Sequence, residues 1–159
     1  MEEDEGMKFV EILLLSLVPT FEGRYAIIYG LAKGYPMLET LSASVLGVLI
    51  LSITLPKLLP VIDVIMDKLK GTGLKPFADL YTSYLERTRK KAKPYVERWG
   101  FLGLMIFVAI PLPGTGIWTG ALASYLLGIS ERASIPALLI GGLLSVMITA
   151  FPAIGYLKI

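Results

Sequence analysis

The stretch Ile106-Phe107-Val108-Ala109-Ile110-Pro111-Leu112-Pro113-Gly114-Thr115-Gly116-Ile117-Trp118-Thr119-Gly120-Ala121-Leu122 decides the fold, because two apolar arms meet there at a break in which Pro and Gly alternate. An α-helix rises about 1.5 Å per residue and the hydrocarbon core of a bilayer is about 30 Å thick, so the arm from Phe101 to Ile110 reaches only about half-way across. Pro111 and Pro113 remove amide donors and oppose helix continuation, while Gly114 and Gly116 let the chain turn tightly into the arm that begins at Ile117. Backbone that leaves helical geometry costs several kcal/mol per unpaired group in hydrocarbon, so it survives only beside protein or a watery cavity. The break therefore marks a protected place. Thr115 adds a hydroxyl, and the free amides at the start of the Ile117 arm, at the positive end of the helix dipole, suit an anion such as a carboxylate or phosphate. This is no phosphate-loop or dinucleotide fingerprint, since the Lys-Ser/Thr ending and the preceding strand are both missing.

A second break, Pro19-Thr20-Phe21-Glu22-Gly23-Arg24, follows another short arm, Phe9 to Val18. With the later half shifted by ninety-four positions (113 less 19), Pro19 meets Pro113, Gly34 meets Gly128, Ala43 meets Ala137 and Gly47 meets Gly141. Each half reads as a short arm, a break, a second arm ending in Gly, and one long apolar helix, Leu38 to Lys57 and Ile135 to Leu157. The broken segments are either re-entrant hairpins or kinked crossings. With hairpins, only the two long helices cross, and the halves must be inverted. The expected fold is all-α: a polytopic membrane protein with two inverted repeats, each a re-entrant helical hairpin plus one transmembrane helix, joined by a cytoplasmic amphipathic helix. It forms a single membrane domain over 1–159, with repeat one at 8–60, the basic linker at 61–98 and repeat two at 99–159. Glu3 and Lys158 are then external and Ser130 internal; kinked crossings reverse all three.

Composition agrees with a bilayer as solvent. Of 159 residues, 55% are hydrophobic and 18% charged, and the mean hydropathy is +0.70, well above the usual soluble range. The acidic Glu2-Glu3-Asp4-Glu5 is not the start of a signal peptide, which carries a basic n-region, so the first arm is expected to stay in the mature chain. No Cys and no His are present, which excludes disulfides, thiol nucleophiles, imidazole bases and the usual zinc or haem ligands. No cofactor and no metal are expected. A net charge of +2 gives no reason to expect nucleic acid.

Ten of the fifteen Lys and Arg residues fall between Lys57 and Arg98, which places that linker on the cytoplasmic side. Gly71-Thr72-Gly73 breaks it, and from Phe77 onward Phe77, Leu80, Tyr81, Tyr84 and Thr88 recur at helical spacing. The reading is an interfacial helix, with Arg87, Arg89, Lys90, Lys91 and Lys93 on anionic lipid and Tyr95 and Trp99 in the aromatic belt; the plainer alternative is a solvated helix packed on a neighbouring protomer.

Glu22 and Arg24 sit in the first break, where an ionised side chain costs about 2.5–3.5 kcal/mol on insertion scales and usually faces a cavity with a partner. Glu22 is read as a proton-carrying carboxylate and Arg24 as its tuner or as the holder of an anionic group; the alternative is a static contact that stabilises the tip. Glu11, in the first arm, is a weaker candidate. The substrate and ion-coupling set is Glu22, Arg24, Pro19, Pro111, Pro113, Gly114, Thr115, Gly116 and Glu11. Gly120, Ser124 and Gly128 recur every four residues and read as helix packing.

The stretch from Glu22 to Gly30 and the longer one from Ile106 to Leu122 resemble the small multidrug export family of prokaryotic membrane proteins, from about Val18 onward. Tyr25 and Ile28 depart from the family's first motif, which has Gly and Pro there. The layout is also similar to DedA-like proteins, an analogy of fold alone. The resemblance implies a multi-pass protein of a prokaryotic plasma membrane. The expected function is a proton- or ion-coupled transporter of an amphipathic small molecule, a drug-like solute or a lipid phosphate, bound between the hairpin tips. Expected partners are membrane lipids, that solute and further copies of the chain in a homo-oligomer. The alternative is a scaffold or lipid-organising protein acting through the basic linker. An enzyme is not expected, since an intramembrane active site would rest on Glu22 alone.

Overall fold

The computed structural model describes residues 2–157, with side chains over 6–155; Lys158, expected outside, and the side chains of Glu2 to Glu5 lie beyond that range. Seven α-helices and no strand occur among the described residues: α1 Glu2–Leu17, α2 Glu22–Ala32, α3 Met37–Leu69, α4 Lys75–Trp99, α5 Phe101–Ala109, α6 Ile117–Leu126 and α7 Glu131–Leu157.

The arms and breaks fall where the punctuation puts them. The chain leaves helical geometry at 18–21 and at 110–116. Ile110 is extended (ψ 119°), as a residue before proline prefers. α1 and α2 fold back on each other, since Tyr29 bonds Glu11 and Gly30 lies against Ile12. α3 and α7 are the two helices long and apolar enough to cross a bilayer, each with a window of mean hydropathy 2.2. Only 39% and 44% of those windows is buried inside the protein, and α7 shows Ile140, Leu144, Met147, Ile148 and Phe151 outward. A soluble core helix does not expose such a belt, whereas lipid accepts it.

The first crossing helix runs further than expected. α3 continues past Lys57 through Pro56 and Pro60 to Leu69, because proline removes one amide donor yet need not end a helix held by its neighbours. The chain turns only at 70–74, where Gly71-Thr72-Gly73 stand.

Local structure repeats between the halves. Amides of Lys33, Gly34 and Tyr35 bond the carbonyls of Tyr29, Leu31 and Gly30, and those of Leu127, Gly128 and Ile129 bond Ala123, Tyr125 and Ser124, the same positions ninety-four further on. Gly34 (φ 74°) and Gly128 (φ 70°) both end a helix in the left-handed region. Gly128 is therefore a terminator and not part of a packing row. Gly120, by contrast, is pressed between Val108 and Leu138. The breaks repeat too, for Thr20 and Gly114 share φ 81°, and Glu22 (φ 50°) corresponds to Gly116 (φ 111°). α2 packs on α7 and α6 on α3, and the long helices meet at Val48 and Gly142.

α4 packs on the protein through a face other than that of its largest apolar side chains. It turns back at Gly100, where Gly103 lies against the Tyr95 carbonyl, and packs along α5 and α6. Its buried stripe is Ala78, Thr88, Ala92 and Val96, while Phe77 and Leu80 are 64% and 71% exposed. Small side chains let α4 approach closely, so bulk did not mark the packed face.

Candidate functional site

The two breaks meet. Glu22 begins α2 and is buried (3% exposed), as is Arg24 (2%). The Glu22 carboxylate accepts hydrogen bonds from the Ile117 amide (3.1 Å) and the Trp118 amide (3.0 Å). These are the orphan donors of the α6 N-terminus, which has no capping side chain at its own Gly116. Glu22 thus caps a helix 95 residues away, with its charge on the positive end of the dipole. The sequence expectation of amides open to a free anion gives way to this, since the protein's own carboxylate occupies them.

Arg24 completes the lock. Its Nε lies 3.6 Å from Glu22 Oε2. Nη1 donates to Thr115 Oγ1 (3.1 Å) and the Ile110 carbonyl (3.4 Å), and Nη2 to the Thr115 carbonyl (2.5 Å). The guanidinium fork therefore holds two carbonyls of the broken segment. Thr115 Oγ1 in turn lies within reach of the Ile110 and Leu112 carbonyls (2.5 and 2.8 Å), either of which can accept its one proton, and the Trp118 indole donates to the Leu17 carbonyl (3.2 Å). Gly116 is obligatory, because a Cβ there would run into the Glu22 carboxylate and the Arg24 guanidinium.

A cavity of about 490 Å³ opens beside this lock. Pro19, Glu22, Arg24, Pro113, Gly114 and Thr115 line it, together with the aromatic rings of Phe21, Tyr25, Tyr29, Tyr84 and Trp118. Arg24 stands over the Tyr25 ring at 5.1 Å. Tyr84 comes from α4, and partial burial, followed by the Glu22 charge, holds its hydroxyl above the usual tyrosine range, so it stays a neutral donor near neutral pH. The lining is apolar and aromatic with one buried charge pair, which suits an amphipathic guest.

Pro111 belongs to the second break but does not line this cavity. Glu11 is not brought to the tips. It accepts hydrogen bonds from Tyr29 (2.7 Å) and Tyr35 (2.6 Å), and touches the site only through Tyr29, which faces the cavity from its other side. Arg87, Arg89, Lys90 and Lys93 are exposed on α4; Lys93 pairs with Glu97 at 3.5 Å. Lys91, also exposed, has its ammonium beside the second break at Gly114. Among described residues no group of His, Cys, Asp and Glu could hold a metal. The aromatic residues Phe21, Tyr25, Tyr29, Tyr84 and Trp118 are cavity residues that the expected site set left out, and Lys91, expected on lipid, lies beside the second break. Tyr84 and Lys91 lie seven positions apart, and that helical spacing is the signal that could have put them on one face.

No curated protein and no solved structure matches the chain. The model of one family, described as "Putative small multi-drug export protein", matches residues 22–148, which take in Glu22 and Arg24, the second break, α4 and most of α7, and the chain belongs to that family of membrane proteins.

Proposed function

We propose that the chain is a proton-coupled transporter of an amphipathic small molecule in a plasma membrane of prokaryotic type, and not an enzyme. In this reading each half is a re-entrant hairpin followed by one crossing helix, the halves are inverted, and the guest binds in the cavity between the hairpin tips. The observation that carries it is the buried Glu22–Arg24 pair, which ties one tip to the α6 amides and the Thr115 carbonyl of the other at the wall of an aromatic cavity.

The chemistry follows from the bonds. As a carboxylate, Glu22 offers charged acceptors to two amides and an anion to Arg24. A proton taken up by Glu22 replaces these with weaker neutral contacts, loosens the tips and lets the cavity change the side to which it opens. Loss of the proton restores the lock. In proteoliposomes carrying candidate solutes, flux should respond to a pH gradient, and Glu22→Gln should lose that response while Glu22→Asp, which still titrates, keeps part of it. PH-driven flux that persists in Glu22→Gln defeats the proton-carrier role. A scaffold acting through the basic helix would show no flux in the wild-type protein.

A further inference from the structure

Lys91 stands on the far side of the second break from the cavity. Its ammonium lies 2.7 Å from where a Cβ at Gly114 would be, and it makes no hydrogen bond or ion pair among the described residues. With Tyr95, Phe107, Leu112 and Thr115 it lines a second pocket of about 240 Å³. The Tyr95 and Phe107 rings pack at 5.9 Å, and Leu112 is 57% exposed at the rim. Thr115 faces both pockets.

The charges around this loop do not balance. Arg24 holds Thr115 from inside and Lys91 covers Gly114 from outside, while the neighbouring carboxylate, Glu22, is already shared between the α6 amides and Arg24. Lys91 is thus an exposed cation with no ion pair among the described residues, set against an apolar wall beside the second break. An ammonium so placed attracts an anion, and the wall gives that anion's apolar portion somewhere to lie.

We propose that Lys91 is a binding residue for the anionic head of an amphiphile, with the apolar tail on Tyr95, Phe107 and Leu112. This goes beyond the transport reading: next to the cavity the protein has a second site, for an amphiphile with one anionic group, of the phosphate or sulfate kind, on an apolar body. The basic helix α4 is then a wall of both pockets, through Tyr84 in the first and Lys91 in the second.

The test uses the full chain in an uncharged maltoside detergent, titrated with decyl phosphate, decyltrimethylammonium and inorganic phosphate while unfolding temperature and tryptophan fluorescence are read. Decyl phosphate should bind saturably. Lys91→Gln should weaken it about tenfold or more, the scale of one hydrogen bond to a charged group. Lys91→Arg, which keeps the charge, should stay within a few-fold, and Lys75→Gln, remote on the same helix, should match the wild type. Three results overturn the proposal: unchanged affinity in Lys91→Gln, equal binding of decyltrimethylammonium, or the full shift with inorganic phosphate alone. A wild type that binds decyl phosphate through Lys91 yet carries no solute in vesicles sinks the transport reading and leaves this site standing. Intact flux with Lys91→Gln affinity unchanged sinks this site alone.

Discussion

Replacing Glu22 by Gln tests the lock between the tips at its centre. The carboxylate offers two acceptors, one to Ile117 and one to Trp118, with Arg24 Nε at 3.6 Å. The amide keeps one acceptor and turns an NH2 group toward a donor, so one buried N–H is orphaned at about 1–3 kcal/mol. Arg24 also loses its anion, and breaking a buried pair from one side costs about 3–5 kcal/mol in all. The same range applies to Arg24→Gln, which strands Glu22. In the double variant neither charge is left uncompensated, so the total should fall short of the sum by about 0.5–3 kcal/mol. Unfolding of the purified protein in mixed micelles, with the four variants of the cycle side by side, measures that shortfall. Additivity to within about 0.5 kcal/mol would refute the reasoning, because it would mean that the two side chains act independently. One practical consequence is that flux in Glu22→Gln must be normalised to folded protein, since the residue is a helix cap as well as a candidate proton carrier.

Two further outcomes follow from the backbone. Gly116→Ala should weaken both thermal stability and flux, because the added methyl meets the charged pair at φ 111°, whereas Gly128→Ala, at φ 70° in open space, should cost about 1–2 kcal/mol of left-handed strain and leave flux intact; equal damage from both would remove Gly116 from the site. Because the chain has no cysteine, single cysteines at Glu3, Ser130 and Lys90 can be labelled in intact cells with an impermeant maleimide: the inverted-hairpin reading expects labelling at 3 alone, and labelling at 130 but not at 3 sinks it.

The breaks were legible because Pro and Gly announce them chemically, and the repeat was legible because the same punctuation returns ninety-four positions later. Glu22 and Arg24 drew notice as charges in apolar surroundings. Their partners did not, since nothing local to Ile117 or Trp118 says that a carboxylate 95 residues earlier will cap that helix. On α4 the sequence marks the large apolar side chains, of which Phe77 and Leu80 stay exposed; the face packed on the protein, Ala78, Thr88, Ala92 and Val96, went unmarked, because close approach selects small residues and hydropathy does not count them. The first long helix was expected from Leu38 to Lys57, where the apolar stretch meets a charge, and it runs to Leu69.

The two breaks share a backbone but divide the chemistry. Thr20 and Glu22 hold left-handed φ values in the first, where the second has Gly114 and Gly116. Left-handed backbone costs a residue with a Cβ about 1–2 kcal/mol, so the first break bears a strain that the second avoids. Glu22 offsets its share through the α6 amides and Arg24. The second break cannot carry a matching side chain, because a Cβ at Gly116 would occupy the space of that very carboxylate. One tip therefore supplies charge and the other supplies amides and carbonyls. A strictly repeated pair of breaks would bring two carboxylates together and repel; this chain places Glu22 at the junction opposite a glycine, so that one carboxylate is bonded to both breaks at once.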